Sequence, residues 1–400
     1  MNENSYELIK QVLSQESVYE SMKCYLKNFE QLKNCKFVFF GDKGGRIPDY
    51  LNVDTGSYTI LGVTDKPRIL LLDEKRLFEM NVFGKSSYQI DNCISFDTQV
   101  VSYIGRMFAS KNKQDYCELY NILLEILKQK IDYDCLPYLM ENSYKLQDDK
   151  IKQGVYQSLI SYLQFQQYQY NDFLEYPSHI VPINNVIRDV DDLVHRMDFM
   201  ANGEAKEYID VATTIRILIA KTIQIEFEYG RKGIKYKIDK LIDFVNEELG
   251  IIQERELIVC YLYLKKGKEV SKFFKGIQKN ARNILKKIEG MAWDLTHIRI
   301  MELSIQFDID EDKPVCLRSL LTFDNGLRDI LKNFPLRAIG FCNGVPVCAF
   351  EKNFIDVVDE VDLKEKIISN TAKRKVVFNN LNRKQLLETV EKDLLNSTKN

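Results

Sequence analysis

Two stretches of this chain close an apolar run on an aspartate. Cys93-Ile94-Ser95-Phe96-Asp97-Thr98 is followed by Val100, Val101, Tyr103 and Ile104 at helical spacing. Leu320-Leu321-Thr322-Phe323-Asp324 runs into Asn325-Gly326, and helical spacing resumes from Leu327 to Leu331. Each reads as a short buried strand whose end pushes out a carboxylate as the chain leaves for a helix. Parallel strands in α/β folds gather their chemistry at their carboxyl ends, so the two aspartates would stand side by side. Like charges that close are unfavourable unless they share a proton or hold a cation. The expectation is a divalent metal.

Two more acids stand out by context. Glu141 lies in Leu136-Pro137-Tyr138-Leu139-Met140-Glu141-Asn142 and reads as early on a helix. Asp294 lies in Met291-Ala292-Trp293-Asp294-Leu295-Thr296-His297-Ile298-Arg299 and reads as the first turn of a helix beginning after Gly290. The order is strand-Asp, helix-Glu, helix-Asp, strand-Thr-x-Asp. Taken singly, each acid also suits a bland role. An Asp after a strand is commonly a turn or N-cap residue, and one in a helix's first turn meets the macrodipole. The set of four is what points to metal chemistry.

That ordered set resembles the PIN-domain nuclease family over about 90–145 and 290–345. Asp97-Thr98, Glu141, Asp294 and Thr322-x-Asp324 carry the resemblance. It implies a PIN-like α/β core with a parallel sheet, Asp97, Glu141, Asp294 and Asp324 as catalytic acids, and Mg²⁺ or Mn²⁺ as cofactor. Asp97 and Asp324 would hold the metal directly, with Asp294 and Glu141 completing the shell or orienting water. Gln99 departs from the family's first motif, which has Asn. The interval between Glu141 and Asp294 is far longer than the family's, which implies a large helical insertion. The residue types suit the reaction: phosphodiester hydrolysis needs an activated water and relief of charge on the leaving oxygen, and a metal held by oxygen ligands supplies both.

The elements that must position these acids follow from periodicity. Residues 1–33 read as helix. Residues 35–97 read as strands and turns, with runs at Lys36–Phe40, Tyr58–Val63, Arg68–Leu72 and Cys93–Asp97. From Val100 to about Glu289 the chain reads as almost wholly helical, broken at Tyr176-Pro177, with helices near 183–200, 205–228, 235–249, 253–264 and 267–289. In the last, Val270, Phe273, Phe274, Ile277, Ala281, Ile284, Leu285 and Ile288 form one apolar stripe. An acidic loop spans Asp308–Pro314. Strands follow at 337–341 and 345–350 around Asn343-Gly344, and a polar helical tail begins at Arg383. The division expected is an α+β N-terminal segment (1–90), the first part of the core (91–148), an all-helical insertion (149–289), and the second part of the core with the tail (290–400).

Charge adds a partner. The net charge is −2, so bulk charge favours none. Between Tyr261 and Ile288, however, nine basic residues face one acid. Lys272, Lys275, Lys279, Arg282 and Lys286 fall away from the apolar stripe. A basic face beside a phosphodiesterase site would gather a nucleic-acid backbone; a solvated helix face is the competing reading. A rival active site, Arg188 with His195, resembles the Arg-x6-His motif of HEPN ribonucleases, which cleave RNA without metal. Their spacing of seven also puts two residues on one helix face for trivial reasons. His297, one turn after Asp294, reads as a core or surface histidine.

Other classes recede. The nine cysteines are odd in number and form no Cys-x-x-Cys pair, which fits free thiols in a reducing, cytoplasmic compartment. The three histidines lack zinc spacing, no apolar run is long enough to span a membrane, and the polar N-terminus is not a secretory signal. Gly41-Asp42-Lys43-Gly44-Gly45-Arg46 lacks P-loop spacing. The expectation is a metal-dependent endoribonuclease or single-strand nuclease. By analogy, a large insert on a small nuclease core points to a toxin or antiviral effector regulated by a protein partner or by self-association. A non-catalytic helical scaffold is the alternative.

Overall fold

The computed structural model describes residues 3–203, 205–305, 315–342 and 345–399. The predicted acidic loop Asp308–Pro314 and the Asn343-Gly344 turn lie outside the described residues. Ten strands form two five-stranded sheets: β1 (Cys35–Gly41), β2 (Gly45–Arg46), β3 (Val53–Asp54), β4 (Thr59–Gly62), β5 (Arg68–Leu72), β6 (Ile90–Phe96), β7 (Tyr133–Asp134), β8 (Val315–Thr322), β9 (Leu336–Cys342) and β10 (Val345–Phe350).

The first sheet, in the order β10-β9-β1-β5-β2, is antiparallel throughout. Its outer face is covered by the N-terminal helices, where Ile9, Val12, Leu13 and Tyr25 pack against Phe37, Phe39 and Val347. The second sheet, in the order β3-β4-β8-β6-β7, is mixed: β6 runs parallel to both β8 and β7, and β4 runs antiparallel to β8. Strands of the first 72 residues therefore pair with strands of 315–350 in both sheets. Strand β8 is buried along nearly all its length and β6 over its last three residues. Burial on both faces is why β8 shows no clean alternation of apolar and polar residues.

Helices supply most of the remainder. Ala205–Tyr229 runs through the middle of the helical region, burying Ile215, Leu218, Ile219 and Ile223, and packs on Ile284–Ser304 and on the C-terminal helix Arg383–Ser397. The helices Ile187–Asn202, Ile234–Phe244 and Glu254–Leu264 fall where periodicity puts them. Three readings need correction. Residues 74–83 form a helix, capped by Asp73, inside the stretch read as strands and turns alone. The stretch 267–289 is not one helix: after a short 3-10 turn at Lys268–Val270 the chain passes through turns, and a helix begins only at Ile284. Gly276 at φ +89° and Asn283 at φ 58° break it, because left-handed residues cannot propagate a right-handed helix. Gly290 then lies inside Ile284–Ser304, so Asp294 is in mid-helix and not in a first turn. Among the described residues, no helix is long and apolar enough to cross a membrane.

Candidate active site

Parallel pairing of β6 with β8 sets the site. Phe96 is registered against Leu321, and the Asp97 N–H donates to the Leu321 carbonyl at 3.2 Å. The chain leaves both strands in the same direction, and each next begins a helix. Asp97 caps Thr98–Ser110, its Oδ1 accepting from Val100 N at 2.7 Å. Asp324 caps Asn325–Asn333, its Oδ1 accepting from Gly326 N at 2.6 Å and Leu327 N at 2.9 Å. The capping role and the paired-carboxylate role therefore coexist: one oxygen of each aspartate binds backbone. Thr322 lies between them, its Oγ1 accepting from Asp324 N at 3.0 Å and its side chain hydrogen-bonding Asp97.

Glu141 comes from the short helix Leu136–Ser143, which has Pro137 in its first turn and follows β7. It sits toward the end of that helix, not early on it. Its Oε2 accepts from Thr98 Oγ1 at 2.5 Å and its Oε1 pairs with Lys145 at 3.1 Å. Asp294 projects from the middle of Ile284–Ser304 and makes no hydrogen bond or ion pair among the described residues.

The four acids sense one another. Burial pushes the Asp97 carboxyl up to about 7; bonds from Thr322 and Val100 oppose the shift, and the charges of Asp324 and Glu141 add to it. Burial also raises Asp294 well above the carboxylate range, helped by Asp324, Glu141 and Asp97. Asp97 is 6% exposed, Asp294 and Glu141 are half-buried, and Asp324 is exposed. Exposure thus falls from Asp324 through Glu141 and Asp294 to Asp97. Among the described residues, no group of three or more His, Cys, Asp or Glu is arranged so that it could hold a metal ion. The contacts explain this: Asp97, Asp324 and Glu141 each spend at least one oxygen on backbone, Thr98 or Lys145.

His297 follows Asp294 by one turn. It is 2% exposed, and both ring nitrogens lack a hydrogen bond of normal geometry. Burial holds it down to about 4, against the pull of Glu141 and of the Pro137 carbonyl. It is a core histidine, but one without a firm partner beside the acids. Gln99 donates to Tyr103 Oη at 2.8 Å.

The basic segment lies against this site. Gly326 permits the approach: a Cβ there would meet Phe273 Cα at 2.8 Å. Lys272 is tied to Asp329 at 2.9 Å on the Asp324-capped helix. Lys275, Lys279, Arg282 and Lys286 are exposed and, among the described residues, make no ion pair. Phe273 and Phe274 are buried in the core. The rival pair, Arg188 and His195, lies on the exposed side of Ile187–Asn202, with the His195 ring edge-on to Phe199 at 5.0 Å.

Sequence reasoning missed Lys145, whose ammonium lies 3.1 Å from Glu141 and 3.3 Å from Glu289. No motif marks it; the only signal is its place four residues after Glu141, the i,i+4 spacing of helix ion pairs. No family model, curated protein or solved structure matches the chain.

Proposed function

We propose that this protein is a metal-dependent nuclease with a PIN-like site, cleaving RNA or single-stranded nucleic acid at the Asp97, Glu141, Asp294 and Asp324 pocket. The observation that carries the reading is the placing of Asp97 and Asp324 at the ends of adjacent parallel strands, with the charges of Asp324, Glu141 and Asp97 felt at Asp294. Unpaired carboxylates removed from water are costly to keep, and a divalent cation relieves that cost. The donors are all carboxylate oxygens, which suits Mg²⁺ or Mn²⁺ rather than zinc. Asp97, Asp294 and Asp324 would hold the ion, which when bound supplies charge relief for the phosphate and a lower pKa for water.

The chain's own groups do the rest. Glu141, fixed by Thr98 and Lys145, orients water or completes the shell. Thr322 holds Asp97 and the Asp324 backbone in register. Lys275, Lys279, Arg282 and Lys286 attract the phosphate backbone. Lys286 precedes Asp294 by eight residues on one helix, about 12 Å at 1.5 Å per residue, a distance spanned by a few nucleotides.

The test is cleavage of single-stranded RNA and DNA with Mg²⁺ or Mn²⁺. Asp97→Asn and Asp324→Asn should each reduce the rate at least ~100-fold, the order expected when charge stabilisation of a transition state is removed. His195→Ala should leave it unchanged. Loss in His195→Ala alone would move the activity to the Arg188/His195 pair, and no cleavage by the unmutated chain with any substrate or metal would favour a scaffold.

A further inference from the structure

Four half-buried rings stand in a row beside the two strand-ending aspartates. Tyr58 and Phe323 are 6.2 Å apart between ring centroids, Phe323 and Tyr103 5.5 Å, and Tyr103 and Tyr116 6.4 Å. They come from four segments of the chain. Antiparallel pairing of β4 with β8 registers Thr59 against Thr322, which sets Tyr58 opposite Phe323 just beyond the two strands. Phe323 directly precedes Asp324. Tyr103 lies on the helix that Asp97 caps and accepts from Gln99, two residues after Asp97. Tyr116 flanks the start of the helix Cys117–Gln129.

Other aromatic groups of the chain, such as Phe96 with Phe165 and Phe273 with Phe274, are buried. The row instead rests on the core from outside, and each of its four residues keeps part of its surface in solvent. Charge is divided along it. Between Tyr103 and Tyr116 the chain carries Arg106, Lys111 and Lys113 against one acid, Asp115. The Arg106 guanidinium lies over the Tyr103 ring at 5.5 Å, and among the described residues none of these three cations makes an ion pair. At the opposite end, burial and then the charges of Glu118 and Glu125 push the Tyr58 hydroxyl up. An anion is therefore drawn to the Tyr103–Tyr116 end and repelled at Tyr58, where a flat, uncharged group fits. A single strand offers both parts: charged phosphates, and uncharged bases that each have a π-face. A duplex keeps those faces inside its own stack.

We infer that the row Tyr58, Phe323, Tyr103 and Tyr116 is a base-stacking site for single-stranded nucleic acid, with Arg106, Lys111 and Lys113 taking the adjoining phosphates. The inference rests on the nucleic-acid part of the reading above and requires no metal. Bases held on the row bring the strand's backbone next to Asp324 and Asp97.

The experiment is fluorescence anisotropy of the full-length protein in chelator. The probes are a labelled oligothymidylate and a strand of the same length and charge that lacks bases. The base-bearing strand should bind about tenfold more tightly, the order of stacking on one aromatic side chain. Phe323→Leu and Tyr103→Leu should each remove most of that difference and leave the affinity for the abasic strand where it was. Tyr103→Phe, which keeps the ring, should recover what Tyr103→Leu loses. Arg106→Gln should weaken both strands alike and lower the salt slope by about 0.7. If Phe323→Leu does not fold by circular dichroism, Tyr58→Leu and Tyr103→Leu, on other segments, decide. Equal affinity for the two strands, or ring variants that lose both strands alike, overturns the inference and leaves the nuclease reading standing, because phosphate contacts alone would serve it. Binding of neither strand by the unmutated protein overturns the nucleic-acid reading, and this inference with it.

Discussion

One helix, Ile284–Ser304, contributes to two acid clusters that are treated in opposite ways. Near its C-terminal end, Glu302 and the Glu256 of a neighbouring helix are almost wholly buried. Two arginines answer them. Arg299 grips Glu256 through Nε at 3.0 Å and Nη2 at 2.5 Å and reaches Glu302 at 3.0 Å, and Arg255 pairs with Glu302. Both guanidinium groups lie over the Phe350 ring, at 4.7 and 5.8 Å. Charge is balanced two for two, and the cluster ties the helical region to the first sheet. Eight residues earlier, Asp294 joins three other acids, of which only Glu141 pairs with a cation, Lys145, among the described residues. Buried acids kept for architecture are given arginines; these are not. The contrast separates a charge-balanced ion network from a cluster of acids that has few cations of its own.

The largest effect should come from breaking the balanced cluster. Arg299→Ala leaves two buried carboxylates short of a partner and should cost about 3–5 kcal/mol of stability, measured by urea unfolding. Asp97→Asn should do the opposite. Asn can still cap Thr98–Ser110, but the buried charge is gone, so the metal-free protein should gain on the order of 2 kcal/mol at pH 8. If both substitutions destabilise alike, the two clusters are not different in kind.

A pH series sharpens the same comparison. The Asp97 carboxyl rises from an unfolded value of 3.8 to about 7 in the fold. The folded state then binds a proton more tightly than the unfolded chain does. Its contribution is fully present below about 3.8 and is lost as pH rises through about 7. In chelator, the melting temperature should fall between pH 5 and pH 8, and Asp97→Asn should flatten that fall. Saturating Mn²⁺ should restore stability at pH 8, by ~2.7 kcal/mol at a hundredfold excess over Kd. A flat wild-type profile would mean that burial does not raise the Asp97 carboxyl in the fold.

The smallest effect concerns the basic segment. Replacing Lys279, Arg282 and Lys286 together with Ala should weaken binding of single-stranded RNA. The salt slope should fall by ~0.7 for each phosphate that is no longer neutralised. The cleavage rate at saturating substrate should hardly move. An unchanged slope would assign those side chains to solvent.

Much of this is legible in the sequence, but unevenly. Asp97 and Asp324 announce themselves because each closes a mostly apolar stretch, Cys93–Phe96 or Leu320–Phe323, and is followed by apolar residues at helical spacing. Their adjacency is expected only from the general behaviour of parallel strands; the pairing of β6 with β8 across more than two hundred residues is encoded by no local pattern. Residues 267–289 mislead because Val270, Phe273, Phe274, Ile284 and Ile288 do all turn to the core. Turns at Gly276 and Asn283 achieve with loops what periodicity attributes to a helix. The same effect moves Asp294 from mid-helix to a first turn, where its charge would be ordinary. Arg255, Arg299, Glu256 and Glu302 give no signal, since charged residues read as surface until their partners are known. Lys145 and Glu289 are silent for the same reason.

The central claim is that four acids from distant parts of the chain form one pocket able to hold a divalent cation. Anomalous scattering from crystals soaked in Mn²⁺ tests it most directly. The account predicts a peak bounded by Asp97, Asp294 and Asp324 that disappears in Asp97→Asn. A well-occupied peak elsewhere, with none between those carboxylates, would contradict it.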